Sequence, residues 1–180
     1  MVYRFDTIDN LRGVCFIFMF IFHLFSIYDY SNLLKTNISS NYILVFIGHV
    51  RNIFIVLAGI SMALSYRNSI NKKKIFIKER AKRSTEIMMH AILISIITHI
   101  LTPNLGVKFG ILHFIALSTF ITAPMVFSKE ITLLCLIASL IFKFPPINNI
   151  IDTITGARLH YGTVDWFPLQ SNLPFLIFGI

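Results

Sequence analysis

Charged residues are scarce in this sequence. They make up 13% of its 180 residues, whereas 56% are hydrophobic and the mean hydropathy is +0.75. An ordinary soluble domain carries about 25% charged residues, so this composition indicates a membrane protein. The apolar residues form blocks close to the roughly 20 residues that a helix needs to cross a bilayer. A β-barrel would show weak alternation over about ten residues instead, so the sequence predicts helices.

Cysteine is almost absent. Cys15 and Cys135 lie in separate apolar blocks, without a CxxC pair or the Cys/His spacing of a zinc site. Both side chains are therefore expected to pack in the interior. We expect neither a disulfide nor a metal site.

Acidic residues are few, and the basic ones are unevenly placed. The net charge is +8, and half of the sixteen basic residues lie in one connection, 67–83, between two apolar blocks. This pattern indicates membrane topology rather than nucleic-acid binding, and the positive-inside rule makes that connection a cytoplasmic loop. The N-terminus, with Arg4 and Arg12, then also lies on the cytoplasmic side.

The apolar blocks predict an all-α, polytopic transmembrane helical bundle with about five full spans and a truncated sixth. The spans are expected at 11–28, 43–66, 84–102, 107–127 and 130–144, with a sixth helix that begins near Pro174. Residues 1–180 are expected to form one membrane-embedded domain that is incomplete at its C-terminus. Isoleucines at helical spacing over 147–154 predict an amphipathic helix on the outer surface.

The first apolar block has an alternative interpretation as a cleaved signal peptide. Its apolar core is long for a signal sequence, and no small-residue cleavage site follows it. A retained first helix is therefore favoured.

Ionisable side chains within the predicted spans mark candidate functional positions, because they are costly in lipid and tend to face a bundle interior. His23 stands in the run FIFMFIFHLFSIYDY, eleven positions after Arg12. At about 100° and 1.5 Å per residue the two share one helix face and lie roughly 16 Å apart, and Asp9 joins the same face. From the spacing alone, a functional role for these side chains and a structural one are equally favoured. In the structural alternative, Arg12 is an interfacial anchor and His23 is a hydrogen-bonded core histidine.

Three further positions are ambiguous from their spacing. His113, in FGILHFIAL, could approach His23 across the bundle or bond a neighbouring helix. Arg51 belongs to a polar patch that is either interfacial or functional. Asp165 precedes the single tryptophan and either lies at the membrane interface or points into the mouth of the bundle.

Five motifs occur in a characteristic order: IDNLRGVCFIFMFIFH (8–23), FIVLAGISMALSYR (54–67), KR (82–83), FGILHFIAL (109–117) and DWFPLQSNLPFLIFGI (165–180). In this order they resemble the heparan-alpha-glucosaminide N-acetyltransferase catalytic-domain family, a group of multi-pass membrane acyltransferases. The resemblance covers essentially the whole chain. It implies transfer of an acetyl or other acyl group from a coenzyme A thioester to a hydroxyl or amine, commonly on a sugar.

The resemblance also implies roles for individual residues. His23 would be the general base or a transient acyl carrier, since imidazole can do either near neutral pH. A carboxylate would orient it, with Asp29 nearest in sequence and Asp165 nearest by motif. His113 would complete the polar centre.

The donor and the partners follow from the same resemblance. Arg12, Lys82 and Arg83 suit the phosphates of a cytoplasmic acetyl-CoA or other acyl-CoA. The expected partners are acyl-CoA, a sugar or glycan acceptor and the lipid bilayer, without nucleic acid, and a homo-oligomer is left open.

Two other classes of protein remain open. A non-enzymatic transporter or flippase component would also place His, Arg and Asp within spans, but the paired Gly/Pro breaks typical of such folds are not evident. An inactive truncated remnant or an assembly subunit is favoured by the short C-terminus.

Overall fold

The computed structural model describes residues 6–30, 41–68, 73–101, 106–143, 145, 147–155 and 165–180. It is helical, and the only strand-like feature in these ranges is an isolated bridge between Phe109 and Trp166. The all-α prediction is confirmed. The helices are α1 (Asp6–Tyr30), α2 (Asn41–Asn68), α3 (Lys73–Leu101), α4 (Ile111–Thr122), a 3-10 helix (Ala123–Phe127), α5 (Lys129–Ile141), α6 (Asn149–Thr155) and α7 (Leu169–Phe178).

Two of the described helices are long and apolar enough to cross a membrane. The apolar stretches are Asp6–Ser26 in α1 and Tyr42–Arg67 in α2, and the apolar helices Ile111–Phe127 and Leu169–Phe178 are shorter. Only 11% of the apolar window in α1 and 22% of that in α2 is buried inside the protein. A packed protein core therefore does not account for their composition.

The basic connection is more helical than predicted. The prediction of a loop over 67–83 is wrong for the described residues of this segment. Helix α2 runs to Asn68, and α3 begins at Lys73. Lys, Glu, Arg and Ala all favour helix, and Phe76 and Ser84 bury one side of this segment. The helix therefore continues through the charged segment.

The last helix also begins earlier than predicted. A start near Pro174 is wrong: α7 begins at Leu169, and Pro174 lies inside it. Pro168 is the N-cap, and its carbonyl accepts a hydrogen bond of 2.8 Å from Asn172 Nδ2. Proline is common at the start of a helix. The proline at the start of α7 is Pro168 rather than Pro174.

Two packed regions hold the helices together. Cys15 and Met19 of α1 pack against Val50 and Leu57 of α2. The larger core lies between α2, the start of α3, α4 and α7; its buried members are Ile55, Met62, Phe76, Phe109, Phe114, Ala123, Phe167, Leu169 and Leu176. Burial of this second set joins the segment before α7 to the start of α4.

Glycine allows α2 and the end of α7 to approach closely. A Cβ on Gly59 would overlap the carbonyl oxygen of Leu176, and one on Gly179 would overlap the carbonyl oxygen of Val56. Both obstacles are main-chain atoms, which cannot rotate away. Only residues without a side chain fit this contact.

The predicted amphipathic helix is present as α6, over Asn149–Thr155. Ile150 is 75% exposed, whereas Asp152 on the other side of the helix is fully buried. Asp152 Oδ1 accepts a hydrogen bond of 2.7 Å from the main-chain N–H of Ile147. The exposed isoleucine face is the one that a membrane surface would cover.

Candidate functional site

A cavity of about 200 Å³ lies between α1, α2 and the segment before α7. Three of the residues that line it are ionisable, and they come from three separate parts of the chain: His23, Arg51 and Asp165. The other lining residues are Met19, Phe22, Ile47, Trp166 and Phe167. The fold thus gathers an imidazole, a guanidinium and a carboxyl group within largely apolar walls.

The hydrogen bond of His23 fixes its tautomer. Its Nδ1 lies 2.7 Å from the carbonyl oxygen of Met19, one turn earlier in α1. A carbonyl oxygen only accepts, so Nδ1 carries the proton of the neutral ring and Nε2 keeps its lone pair. Nε2 is therefore the atom of His23 that can take a proton.

Asp165 connects this cavity to α4. Its Oδ2 accepts a hydrogen bond of 3.0 Å from the main-chain N–H of Ile111, the first residue of α4. Burial raises the pKa of Asp165, and that hydrogen bond and the charges of His23 and Arg51 oppose the rise. The charges of His23 and Arg51 therefore both act on Asp165.

Gly110 makes room for the carboxyl group of Asp165. A Cβ on this N-cap residue would lie 2.5 Å from Asp165 Oδ2 and 2.8 Å from Val107 Cγ1. The close approach requires glycine at this position.

Two hydrogen bonds hold the segment that carries Asp165. The main-chain N–H of Phe167 donates to the carbonyl oxygen of Phe109 over 2.8 Å, and Trp166 Nε1 donates to the carbonyl oxygen of Thr153 over 2.8 Å. One bond ties the segment to the start of α4 and the other to α6. Asp165 is thereby positioned from two sides.

Arg51 is the basic member of the cavity. Its guanidinium lies over the ring of Phe167, 5.3 Å from the centroid, and its Nε donates to Asn52 Oδ1 over 3.4 Å. The sequence left Arg51 open between an interfacial and a functional role. Its position as a charged residue within an apolar block is the signal that marks it in the sequence.

His113 lies elsewhere, between α3 and α4. It is buried, its Nε2 is 3.4 Å from Ser95 Oγ, and its ring is 5.6 Å from that of Phe109. It is not among the residues that line the His23 cavity. This position fits the alternative of a bond between helices.

Asp29 belongs to the last turn of α1, but its side chain lies outside the described residues. Its proposed role in orienting His23 therefore stays a prediction. Among the described side chains, Asp165 is the carboxyl group that lines the same cavity as His23.

A second group of side chains lies towards the other ends of α1 and α2. Arg12 Nη1 donates to Ser61 Oγ over 3.4 Å, and Arg80 Nη2 donates to Ser65 Oγ over 2.6 Å. Ser61 and Ser65 are one turn apart on α2, so the two guanidinium groups lie on consecutive turns of one helix face. The charge of Arg83 acts on both arginines. We call Arg12, Arg80 and Arg83 the arginine cluster.

The arginine cluster has unused hydrogen-bonding capacity. The Nε atoms of Arg12 and Arg80 are buried and have no hydrogen-bond partner among the described residues. Like charges gathered in this way repel, and Asp9 and Glu79 offset only part of the repulsion. A multiply charged anion near the exposed parts of these side chains would neutralise the remainder. The donor set therefore fits phosphate groups.

Lys82 is not brought to the arginine cluster. Its side chain is 80% exposed and its Nζ lies 4.0 Å from Glu86 Oε1, one turn on in α3. Arg80 belongs to the arginine cluster, although the sequence did not predict it as a binding residue. It shares the buried side of α3 with Phe76 and Ser84, and that helical spacing could have identified it.

These features are a cavity that brings together an imidazole, a guanidinium and a carboxyl group, and a separate cluster of three arginines, in a helical protein. Residues 4–179 match the family model of the heparan-alpha-glucosaminide N-acetyltransferase catalytic domain. The chain belongs to this family, which gives it a membrane acyltransferase type of function. No curated protein and no solved structure matches the chain.

Proposed function

We propose that this protein is a multi-pass integral membrane acyltransferase that moves an acetyl or other acyl group from a coenzyme A thioester to a hydroxyl or amine of a sugar. The observation that carries the proposal is the meeting of His23 and Asp165 in one cavity, with Nε2 of His23 available as a base. Family membership supports the reaction class.

We infer that α3, α4 with its 3-10 helix, α5 and α7 complete the membrane bundle around α1 and α2. Large apolar side chains on the outer faces of α3 and α5 support this inference: Ile100 is 71% exposed, and Leu134 is 70% exposed. The basic start of α3 supports a cytoplasmic position for that end of the helix, and for the N-terminus with it. The His23 cavity then lies towards the outer side.

The proposed chemistry uses the groups of the cavity. His23 Nε2 takes the proton from the acceptor hydroxyl or amine as its oxygen or nitrogen attacks the thioester carbon. A C–O or C–N bond forms, the C–S bond breaks, and the proton passes from His23 to the departing thiolate. Asp165 stabilises the transient imidazolium, and Arg51 suits the negative charge that develops on the carbonyl oxygen.

The arginine cluster is the proposed site for the phosphates of the donor. Arg12 and His23 lie roughly 16 Å apart along α1. The pantetheine arm is a chain of about a dozen bonds, and at about 1.2 Å per extended bond it reaches roughly 15 Å. Phosphates at Arg12 thus bring a thioester to the depth of His23. Between Arg12 and His23, the side chains of Cys15 and Met19 are packed against α2. The pantetheine arm would therefore lie beside this contact between α1 and α2.

Acetyl transfer from radiolabelled acetyl-CoA, measured in membranes that contain the protein, tests this proposal. His23→Ala is expected to lower transfer by about 100-fold or more, the usual share of a general base. His90→Ala is the matched control, because His90 Nδ1 makes the same 2.7 Å contact with a carbonyl one turn earlier but lies exposed on α3. Equal activity in the two variants would contradict the role of His23.

Binding of labelled coenzyme A to the purified protein separates the enzyme from the other classes. A transporter component or an inactive remnant predicts no binding that depends on Arg12. Binding that Arg12→Ala weakens, with transfer in the wild type, supports the acyltransferase.

A further inference from the structure

A groove of about 900 Å³ lies between α2, α5 and α7 and is not part of the His23 cavity. Most of its walls are apolar; Val56 of α2, Leu136 of α5 and Phe175 of α7 are examples. A space of this size is typical of sites for whole organic ligands. The groove can therefore hold a long apolar group.

The polar residues of the groove gather at one end. In the proposed topology α2 and α7 run inwards and α5 runs outwards, so His49, Lys143 and Gln170 all lie near the outer end. Val56, Leu136 and Phe178 lie deeper. No Asp or Glu is among the described lining residues, so the polar end has a positive character. An amphiphile with an anionic head matches this distribution.

The groove and the His23 cavity are neighbours. Asn52 lines the groove and accepts the hydrogen bond of Arg51, which lines the cavity. Pro168 lines the groove, and the preceding residue, Phe167, lines the cavity and lies under the Arg51 guanidinium. The Arg51–Phe167 pair thus stands between the two spaces.

We propose that the groove binds the hydrocarbon chain of an anionic membrane lipid, and that the head of this lipid is the acyl acceptor. The inference rests on the proposed function and names the class of acceptor: a sugar hydroxyl or amine that is carried on a lipid. The chain lies between α2, α5 and α7, the anionic group lies against Lys143 and His49, and the head reaches the His23 cavity past Arg51. An ester or amide forms on the head, the thioester C–S bond breaks, and the proton goes to coenzyme A.

Photocrosslinking in vesicles tests the lipid site without any acyl donor. The full chain is reconstituted with phosphatidylglycerol that carries a diazirine near the end of one acyl chain, or with phosphatidylcholine that carries the same group. Mass spectrometry is expected to find adducts at the deep groove residues Val56, Leu136 and Phe175. Phosphatidylglycerol should label them about fivefold more, which is the preference that one basic side chain near the head supplies.

Two variants of α5 give the matched comparison. Leu136→Trp fills the groove and is expected to abolish most of the labelling of Val56 and Phe175. Leu134→Trp adds the same bulk on the exposed face of α5 and should leave labelling unchanged. Equal labelling in both variants, equal labelling by the two lipids, or crosslinks from the groove to a second copy of the chain would each overturn the lipid site.

Solvent partition of the reaction product tests the acceptor role. After incubation with radiolabelled acetyl-CoA, the label is expected in the organic extract, and Leu136→Trp should remove it there. Label that is transferred only to water-soluble material would overturn the lipid acceptor. Lipid labelling of the groove without any acetyl transfer would instead contradict the proposed function and leave the lipid site supported.

Discussion

Asp165 Oδ2 accepts a 3.0 Å hydrogen bond from the main-chain N–H of Ile111, which lies 54 positions earlier in the chain. The carboxyl group that lines the His23 cavity therefore also satisfies the first N–H of α4, one of the helix donors that has no partner within the helix. Site geometry and the start of a core helix depend on the same side chain.

Asp165→Asn is expected to change how stability depends on pH. Burial raises the pKa of Asp165 in the folded protein above the ordinary value of 3.8 that it has in the unfolded chain. Between these two pKa values the unfolded chain has ionised and the folded protein has not. The folded protein therefore loses stability as pH rises through this window. Asparagine keeps the acceptor for Ile111 and does not ionise. The free energy of unfolding of the variant, minus that of the wild type, should therefore increase as pH rises through that window and stay constant above it. Thermal unfolding followed by circular dichroism measures this; a gain independent of pH would contradict it.

Gly110→Ala is expected to displace the carboxyl group of Asp165. The added Cβ would meet Asp165 Oδ2 at 2.5 Å, and a misplacement of about 1 Å in a site can cost roughly 100-fold in rate. Gly13→Ala is the control, since nothing lies within 4 Å of a Cβ at that position. Acetyl transfer, normalised to folded protein by size-exclusion chromatography, should fall in the first variant only. Unchanged transfer in Gly110→Ala would show that Asp165 need not keep this position.

Arg80→Ala is expected to weaken binding of the acyl donor. Loss of a charged hydrogen bond of about 1.5–3 kcal/mol predicts a rise in KM for acetyl-CoA of roughly 10- to 100-fold with little change in kcat. Arg80→Lys keeps the charge and should recover part of the affinity. Lys78→Ala, an exposed position of the same helix, should change KM little. A loss confined to kcat would argue against phosphate binding by the arginine cluster.

Gly59→Ala is expected to destabilise the contact between α2 and α7. The added methyl group would overlap the carbonyl oxygen of Leu176 and lie 3.0 Å from Gly179 Cα. Overpacking against a main chain costs about 1–3 kcal/mol. Gly48→Ala on the same helix meets nothing within 4 Å and should be neutral or stabilising by up to about 1 kcal/mol. Thermal unfolding in detergent compares the two, and equal midpoints would contradict the close approach.

The sequence predicts well what depends on neighbours along one helix. The apolar blocks and the spacing of Asp9, Arg12 and His23 need only the helical period, and α1 contains all three. The Asp9–Arg12 pair, with 3.8 Å between Oδ1 and Nη1, follows from the same spacing. The start of α3 depends on the helix-favouring residues of this segment and also on the burial of Phe76, which arises only when other helices pack on it.

The site itself is harder to predict, because its members come from separate segments. The resemblance to a known family points to His23 and Asp165. Helical spacing marks Arg80 as a residue on the buried side of α3, but the partners of Arg51 and Arg80 are set by packing between helices. Arg80 is oriented by Ser65 and by Phe76, whose ring centroid lies 5.4 Å from the guanidinium carbon. His113 shows the converse: a histidine in a family motif lies against Ser95, away from the cavity.

The carboxyl group of Asp165 is shared between a helix terminus and an imidazole. The positive end of the α4 dipole and a protonated His23 both attract it, and they compete for the same negative charge. Each time His23 gains a proton, the electrostatic pull on the first turn of α4 changes, although α4 touches neither the donor nor the acceptor in the proposed reaction. The hydrogen-exchange rate of the Ile111 amide is therefore expected to report the proton state of His23.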